Sequence, residues 1–209
     1  MIDPTNITKF DCSDFELEEA LLFWICAAGK NAIVVSSSLN KLLFDICKNK
    51  CSPFEVIKKT GQRELSILLK KFGIGCYNNK SRSFWELANS NLNLRTCSHE
   101  DLENIYGIGM KTSRCFIIHS RANARCAGLD VHILKFMNMM GYKVPKTTPN
   151  KKDYVIIENQ FLDLIKCTNK PIAEIDLLIW NHFSGHKDVK KEALDFFRSL
   201  KSNSLCSID

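Results

Sequence analysis

Apolar residues recur along nearly the whole chain at intervals of three and four positions, the spacing that puts side chains on one face of an α-helix. Alternation of apolar and polar residues, which is typical of a half-buried β-strand, is almost absent. The pattern predicts an all-α protein, with a short helix starting at Pro53 and longer helices near residues 15–29, 34–46, 65–72, 80–90, 151–167, 171–183 and 187–201.

The length of 209 residues suits one domain or two tightly packed lobes, and it is ample for a sizeable core. The least helical connection is residues 141–150, which contain Pro145 and Pro149, so we expect the link between two lobes there. Residues 187–209 form a C-terminal extension whose last residues are polar and are expected to fray.

The composition narrows the class of protein. An apolar fraction of 45% excludes intrinsic disorder, and no stretch approaches the 18 apolar residues of a membrane span. The first residues lack the pattern of a signal peptide, so we expect an intracellular protein. Lys and Arg number 29 against 23 Asp and Glu, a net charge of +6. This excess is compatible with a polyanionic partner, although solvated helix faces explain it as well.

The ten cysteines do not predict a disulfide scaffold. Cys26, Cys47, Cys115 and Cys126 lie among apolar residues at helical spacing, where a thiol acts as a small hydrophobe. Cys47 and Cys51 are four residues apart, but no second Cys or His pair follows at a zinc-finger spacing. We therefore expect reduced thiols, no metal and no iron–sulfur cluster.

The most informative segment is a pair of short helices joined by glycines, at about residues 98–121. Ser98 and Asp101 have the spacing of a capping box that opens the first helix. Gly107 and Gly109 flank Ile108, which can fill the core of a hairpin, and a second apolar helix follows. Glycines let a phosphate approach the amides at a helix N-terminus, where the helix dipole favours an anion. This arrangement predicts a helix–hairpin–helix motif.

Lys111 follows the hairpin, and Asp130 comes nineteen positions later at the start of another helix. Each has an ordinary alternative role, since a lysine can bind phosphate and an aspartate is a favoured N-cap. As a pair they have the chemistry for attack on a sugar: a neutral lysine amine is a nucleophile, and a carboxylate can orient it and stabilise developing positive charge. The sequence does not show whether the two side chains meet.

The segments Ile105–Thr112 and Leu129–His132 resemble the signature of helix–hairpin–helix DNA glycosylases. The resemblance implies two helical lobes with the active site in the cleft between them. In bifunctional glycosylase/AP lyases of that superfamily a lysine stands at the position of Lys111. The resemblance therefore implies that Lys111 forms a Schiff base and that Asp130 assists its deprotonation and stabilises the transition state. DNA phosphates would contact the hairpin and His132, although a structural histidine is an alternative there.

A second block is similar to the archaeal-type 8-oxoguanine DNA glycosylases, and it comprises Val144–Pro149, Lys151–Tyr154, Ile157–Glu158 and Ala173–Trp180. Asp176 and Trp180 share one helix face, so Trp180 can stack on a flipped purine and Asp176 can accept from its ring N–H groups. A core tryptophan beside an exposed aspartate is the alternative. The chain continues past Lys187, so a terminal carboxylate near the base cannot be assumed.

Cys115, one turn after Lys111, is a candidate for packing against the base, with a buried core thiol as the alternative. Trp24 is a candidate for the other wall of the base pocket, together with Gly29 and Lys30. The DNA-contacting set implied by the resemblance comprises Gly107, Gly109, Thr112 and His132.

The sequence thus predicts a monomeric bifunctional 8-oxoguanine DNA glycosylase/AP lyase acting on double-stranded DNA, in the nucleoid of a prokaryote or the nucleus of a eukaryote. No redox cofactor is implied, and the resemblance leaves room for a monovalent cation at the hairpin carbonyls. Two alternatives stay open. One is a glycosylase for another lesion, such as an oxidised pyrimidine, and the other is a non-catalytic helix–hairpin–helix DNA-binding module.

Overall fold

The structure is a computed structural model that describes residues 1–47, 51–168, 170–185 and 190–205. For residue 190 and residues 201–205 it describes the backbone only. The described residues form helices and connecting loops without a β-strand. They divide into two compact units, Met1–Arg121 and Ala122–Asp209. The all-α prediction is therefore confirmed.

The first unit begins with a short 3₁₀ helix, Pro4–Asn6, and continues with seven α-helices. These are α1 Asp14–Ala27, α2 Ala32–Ile46, α3 Pro53–Thr60, α4 Gln62–Lys71, α5 Tyr77–Asn89, α6 His99–Glu103 and α7 Met110–Ser120. Most of their boundaries follow from local chemistry. Ser13 and Glu16 form a reciprocal capping box at the start of α1, and Ser52 caps α3 with Pro53 at its first position.

Helix α1 forms the centre of the first unit and packs against α2, α3, α5 and α7. Leu21, Leu22 and Cys26 on this helix are fully buried. Burial raises the pKa of the Cys26 thiol to about 12, so it stays protonated and behaves as a small apolar group. Cys47 differs from the expectation of a core thiol, because it follows the last residue of α2 and remains partly exposed.

The second unit contains four helices, α8 Val131–Met139, α9 Lys151–Ile165, α10 Ile172–Phe183 and α11 Lys190–Leu205. Phe136 on α8 meets Phe161 on α9 edge to face, with ring centroids 6.3 Å apart, and Phe197 on α11 lies 4.8 Å from Phe136. The extension beyond residue 187 therefore contributes a helix to this core. The predicted start of that helix at residue 187 lies outside the described residues.

The boundary between the two units differs from the one expected from the sequence. It falls between Arg121 and Ala122, whereas residues 141–150, the expected link between lobes, lie inside the second unit and join α8 to α9. The prolines of this loop end the helical pattern, but the helices before and after the loop can still share one hydrophobic core. The aromatic contact between Phe136 and Phe161 holds the helices on both sides of that loop together.

Candidate functional site

The predicted hairpin is present between α6 and α7. Ser98 and Asp101 form the predicted reciprocal capping box at the start of α6. The turn is closed by a hydrogen bond of 3.1 Å from the Ile108 amide to the Ile105 carbonyl. Ile108 is 4% exposed, so it fills the hairpin core as expected.

An internal ion pair fixes the two helices of the hairpin to each other. The guanidinium of Arg114 on α7 bonds to the Glu103 carboxylate on α6, and the Ser113 hydroxyl donates to the same carboxylate oxygen at 3.0 Å. The Arg114 side chain is only 4% exposed. Breaking such a buried pair leaves an uncompensated charge, so the pair holds the hairpin in a defined geometry.

The two glycines of the hairpin serve different purposes. Gly107 has φ +79°, and a Cβ there would lie 2.3 Å from the Ser83 hydroxyl oxygen. Gly109 has φ −101° and is the N-cap of α7, and a Cβ there would meet no heavy atom within 4 Å. Gly107 therefore permits the turn and its contact with α5, whereas Gly109 leaves open space at a helix N-terminus. The first amides of a helix have no partner within the helix, and an anion can use them.

Helix α5 supports the hairpin from its outer side. The Glu86 carboxylate accepts hydrogen bonds from the Arg82 Nε at 2.7 Å and from the Tyr106 amide at 3.1 Å. The bond from Arg82, together with the Tyr106 amide, holds the pKa of Glu86 below its usual range despite partial burial. The guanidinium of Arg82 lies 3.9 Å from the ring centroid of Tyr106. The sequence does not reveal this contact between α5 and the hairpin, because an Arg–Glu pair four residues apart resembles an ordinary surface ion pair.

Lys111 lies in the first turn of α7 and is partly exposed. Its Nζ is 5.1 Å from the ring centroid of Trp24 on α1. The structure therefore brings together two of the residues singled out in the sequence. The π face of an indole attracts a cation, with a contribution of about 0.5–2 kcal/mol.

His119, two turns after Lys111 on α7, was given no role in the sequence analysis. Its ring stacks on Trp24 with centroids 5.1 Å apart and an interplanar angle of 19°. Its Nδ1 is hydrogen-bonded to the Thr8 hydroxyl at 2.7 Å. The only signal in the sequence was a polar residue in an otherwise apolar helical turn, which did not reveal a partner more than a hundred residues away.

Two further candidates on α7 point into the protein interior. Thr112 is 4% exposed and Cys115 is 2% exposed. Burial of its side chain leaves Thr112 only its backbone amide for a phosphate contact. Cys115 has the environment of a core thiol, which was the alternative to its predicted contact with the base.

Asp130 is the N-cap of α8 in the second unit. Its Oδ1 accepts hydrogen bonds from the amides of His132 at 2.8 Å and Ile133 at 3.0 Å. The capping role anticipated as an alternative is therefore present, and it directs the carboxylate at the positive end of the helix, where an anion is favoured. Capping and catalysis do not exclude each other, because a carboxylate can accept several hydrogen bonds at once.

The chain leading to Asp130 is anchored by two residues of α9. The Tyr154 hydroxyl donates to the Ala127 carbonyl at 2.9 Å and accepts from the Leu129 amide at 2.8 Å. Glu158 accepts from the Ala127 amide at 2.7 Å. Both side chains are buried, which gives a physical reason for their presence in the block that resembles the glycosylases.

His132, Asp176 and Trp180 also lie in the second unit. The His132 ring is stacked with Phe183 on α10, with centroids 6.3 Å apart. Asp176 and Trp180 are one turn apart on α10 and both are partly exposed, in agreement with a shared face. The structure thus groups the predicted residues in two sets, one with Lys111 in the first unit and one with Asp130 in the second.

Neither a metal cluster nor a membrane span occurs in the part of the chain that the structure describes. Among those residues no three His, Cys, Asp or Glu side chains are grouped so that they could hold a metal ion. No described helix is both long enough and apolar enough to cross a bilayer.

No protein-family model matches the chain. It is 26% identical over 131 residues to the 8-oxoguanine DNA glycosylase/AP lyase of Sulfolobus acidocaldarius. The match covers 57% of this chain and 63% of that relative, slightly less than two thirds of its length.

Solved structures share the fold more extensively. The 8-oxoguanine glycosylase/lyase of Methanocaldococcus jannaschii, in complex with a 15mer DNA containing 8-oxoguanine, matches with a TM-score of 0.64 at 22% identity and covers 87% of both chains. The 8-oxoguanine DNA glycosylase of Thermotoga maritima matches with a TM-score of 0.64 at 18% identity, again over 87% of both chains. The chain therefore has the fold of these proteins.

Proposed function

We propose that the protein is a bifunctional DNA glycosylase/AP lyase that removes 8-oxoguanine from double-stranded DNA and then nicks the strand. The observation that carries the proposal is the position of the Lys111 amine, directly after the glycine hairpin and 5.1 Å from the face of Trp24. A primary amine beside a phosphate-binding turn is the group needed to attack the sugar of a nucleotide held there. The likeness to 8-oxoguanine glycosylases supports the choice of substrate.

In the proposed first reaction, the lone pair of the neutral Lys111 Nζ forms a bond to C1′ of the damaged nucleotide. The bond from C1′ to the base breaks, and its electron pair leaves with the base, which takes up a proton. The nitrogen loses a proton, for which the Asp130 carboxylate is the proposed acceptor. Opening of the sugar ring then gives an iminium ion, and the ring oxygen takes up a proton.

In the second reaction, the iminium ion acts as an electron sink for β-elimination. A proton leaves C2′, the electron pair forms a C2′–C3′ double bond, and the C3′–O bond breaks with release of the 5′-phosphate of the next nucleotide. Water then hydrolyses the iminium and restores the lysine. The nucleophile is a side chain, and neither reaction needs an external oxidant or reductant, so the proposal includes no redox cofactor.

The proposed DNA contacts use the N-terminus of α7 and the space beside Gly109, with His132 as a further phosphate contact. A monovalent cation at the hairpin carbonyls remains part of the proposal, and it would add positive charge near a phosphate. Trp180 and Asp176 are proposed to stack on the base and to accept from its N–H groups. Such a substrate puts the place of action in the nucleoid or the nucleus.

Borohydride trapping on a duplex with one 8-oxoguanine tests the proposal. We expect a covalent adduct with the wild type, none with Lys111→Gln, and at least a hundredfold loss of base release with Asp130→Asn, in line with loss of a general base. Lys59→Gln, which removes an exposed lysine of α3, is the matched control and should retain full activity.

The other outcomes identify the alternatives. Release of thymine glycol or uracil without release of 8-oxoguanine would indicate a glycosylase for another lesion. Base release without an adduct would indicate a monofunctional enzyme and a different role for Lys111. DNA binding with neither release nor adduct would indicate a non-catalytic binding module.

A further inference from the structure

The proposed nucleophile and three further side chains, from three parts of the first unit, are in successive contact. Thr8 lies before α1, Trp24 lies on α1, and Lys111 and His119 lie on α7. Thr8 is hydrogen-bonded to His119, His119 stacks on Trp24, and the Trp24 ring faces the Lys111 ammonium. We call this set the Thr8–Lys111 cluster.

Trp24 is held by packing alone among the described residues. Its indole Nε1 is buried and has no hydrogen-bond partner there, and the side chain as a whole is 9% exposed. Two rings contact it: Phe23 meets it edge to face at 5.2 Å, and His119 lies nearly parallel to it at 5.1 Å. The orientation of the indole therefore depends on how firmly those rings are held.

Of these two rings, that of His119 has a polar atom that can be fixed by a hydrogen bond, whereas that of Phe23 has none. Its Nδ1 is bonded to the Thr8 hydroxyl at 2.7 Å, and its backbone carbonyl accepts from the Lys9 amide at 3.0 Å. The ring is 3% exposed, so water cannot easily replace the threonine hydroxyl. A buried polar group that loses its partner is destabilised, which favours a displaced ring over an Nδ1 atom left without its hydrogen bond.

We propose that the hydrogen bond between Thr8 and His119 positions Trp24 against Lys111 and thereby sets the geometry of the nucleophile. Thr8 and His119 are positioning residues, because the contacts from Thr8 through His119 reach the amine by way of the indole. This inference rests on the proposed function for the role of Lys111, but the contacts that carry it are independent of the substrate. It concerns the chemical step, since neither side chain belongs to the proposed DNA contacts.

The central variant is Thr8→Val, which keeps the shape of the side chain and removes the hydroxyl. The backbone bond from Lys9 to His119 remains, so the segment before α1 should stay in place. We expect the single-turnover rate of base release at saturating enzyme to fall about fivefold to tenfold, as for a slightly misplaced reacting group. The Kd for the duplex should change less than twofold, and Thr8→Ser should restore the rate.

A matched control separates positioning from general destabilisation. Thr60→Val removes a hydroxyl that bonds to the Val56 carbonyl at the end of α3. It should lower the Tm by an amount similar to that of Thr8→Val while leaving the rate within twofold of wild type. His119→Phe keeps a stacked ring without Nδ1 and should be at least as slow as Thr8→Val, and adding Thr8→Val to it should cause no further loss of rate.

A second readout needs no DNA. Reductive methylation with formaldehyde and cyanoborohydride, followed by peptide mass spectrometry, reports the reactivity of the Lys111 amine relative to Lys59. Because the indole ring covers one side of the Lys111 amine, loosening Trp24 in Thr8→Val should raise the relative labelling of Lys111 at least twofold. A merely structural role of Thr8 predicts equal labelling in the two Thr→Val variants.

The inference is overturned if Thr8→Val and Thr60→Val show the same rate and the same Lys111 labelling, or if Thr8→Val raises Kd in proportion to its loss of rate. Failure of the proposed function gives a different result: the wild type then releases no 8-oxoguanine, or Lys111→Gln remains active. In that case the labelling experiment still decides whether Thr8 and His119 control the environment of the amine.

Discussion

Gly107 shows how one residue can satisfy two constraints. Its φ of +79° is in the left-handed region, which costs an alanine about 1–2 kcal/mol, and its α-carbon faces the Ser83 hydroxyl. The turn between α6 and α7 therefore needs a glycine both for its backbone conformation and for its approach to α5.

We expect Gly107→Ala to lower the free energy of unfolding by about 2 kcal/mol, the sum of the strained φ and a displaced Ser83 side chain. Gly141→Ala is the matched control, because Gly141 has φ +95° but a Cβ there would lie in open space. Urea unfolding should show a larger loss for Gly107→Ala than for Gly141→Ala. Equal losses would mean that Ser83 simply rotates away and that the contact has no energetic weight.

Gly109 has the opposite character. With φ −101° and no heavy atom within 4 Å of a Cβ, alanine is tolerated there without strain. If a phosphate approaches the α7 N-terminus as proposed, a methyl group in that space obstructs it. We therefore expect Gly109→Ala to lower the Tm by no more than about 3 °C, because alanine is a poorer N-cap than glycine but meets no clash there.

The same variant should weaken duplex binding about tenfold in fluorescence anisotropy, which corresponds to loss of one charge-assisted hydrogen bond to phosphate. Unchanged affinity together with an unchanged Tm would place the phosphate contact elsewhere on the protein.

At the level of elements, the hairpin is stabilised by an ion pair within it and by the neighbouring helix α5. Within it, Arg114 and Glu103 tie α7 to α6, and outside it Glu86 on α5 receives the Tyr106 amide. Two helices of five and eleven residues are too short to be stable on their own. The geometry of the turn is therefore a property of α5, α6 and α7 together.

Helix α11 is an element whose contribution was open at the sequence level. Phe197 is 3% exposed and contacts Phe136 on α8 and His182 on α10, with centroid distances of 4.8 and 5.2 Å. Ala193 and Leu200, on the same face of α11, are also buried. The helix thus completes the core of the second unit instead of extending from it.

We expect Phe197→Ala to lower the free energy of unfolding by about 3–5 kcal/mol, the usual cost of emptying a buried phenylalanine site. Phe196→Ala, one position earlier and partly exposed, is the control and should cost about 1 kcal/mol. Chemical denaturation followed by circular dichroism measures both. Equal losses in the two variants would show that α11 is not part of the cooperative core.

At the scale of the whole molecule, the two units divide the candidate chemistry. The first contains the hairpin, Lys111 and Trp24, and the second contains Asp130, Asp176 and Trp180. The hydrophobic pattern predicted the helices of both units because burial of one face repeats every three to four residues. It did not predict the boundary at Arg121, since a boundary depends on which helices share a core.

The sequence by itself determined the all-α class, the capping box of Ser98 and Asp101, the glycine hairpin and the candidacy of Lys111 and Asp130. Each of these follows from interactions within a few residues, which the order of amino acids specifies directly. Only the tertiary structure revealed the Thr8–Lys111 cluster and the contacts of α5 with the hairpin. Thr8 and His119 are 111 positions apart, and no local rule couples residues at that separation. Such contacts arise when whole helices pack together, because the crossing angles and the buried faces of the helices jointly determine which distant residues meet.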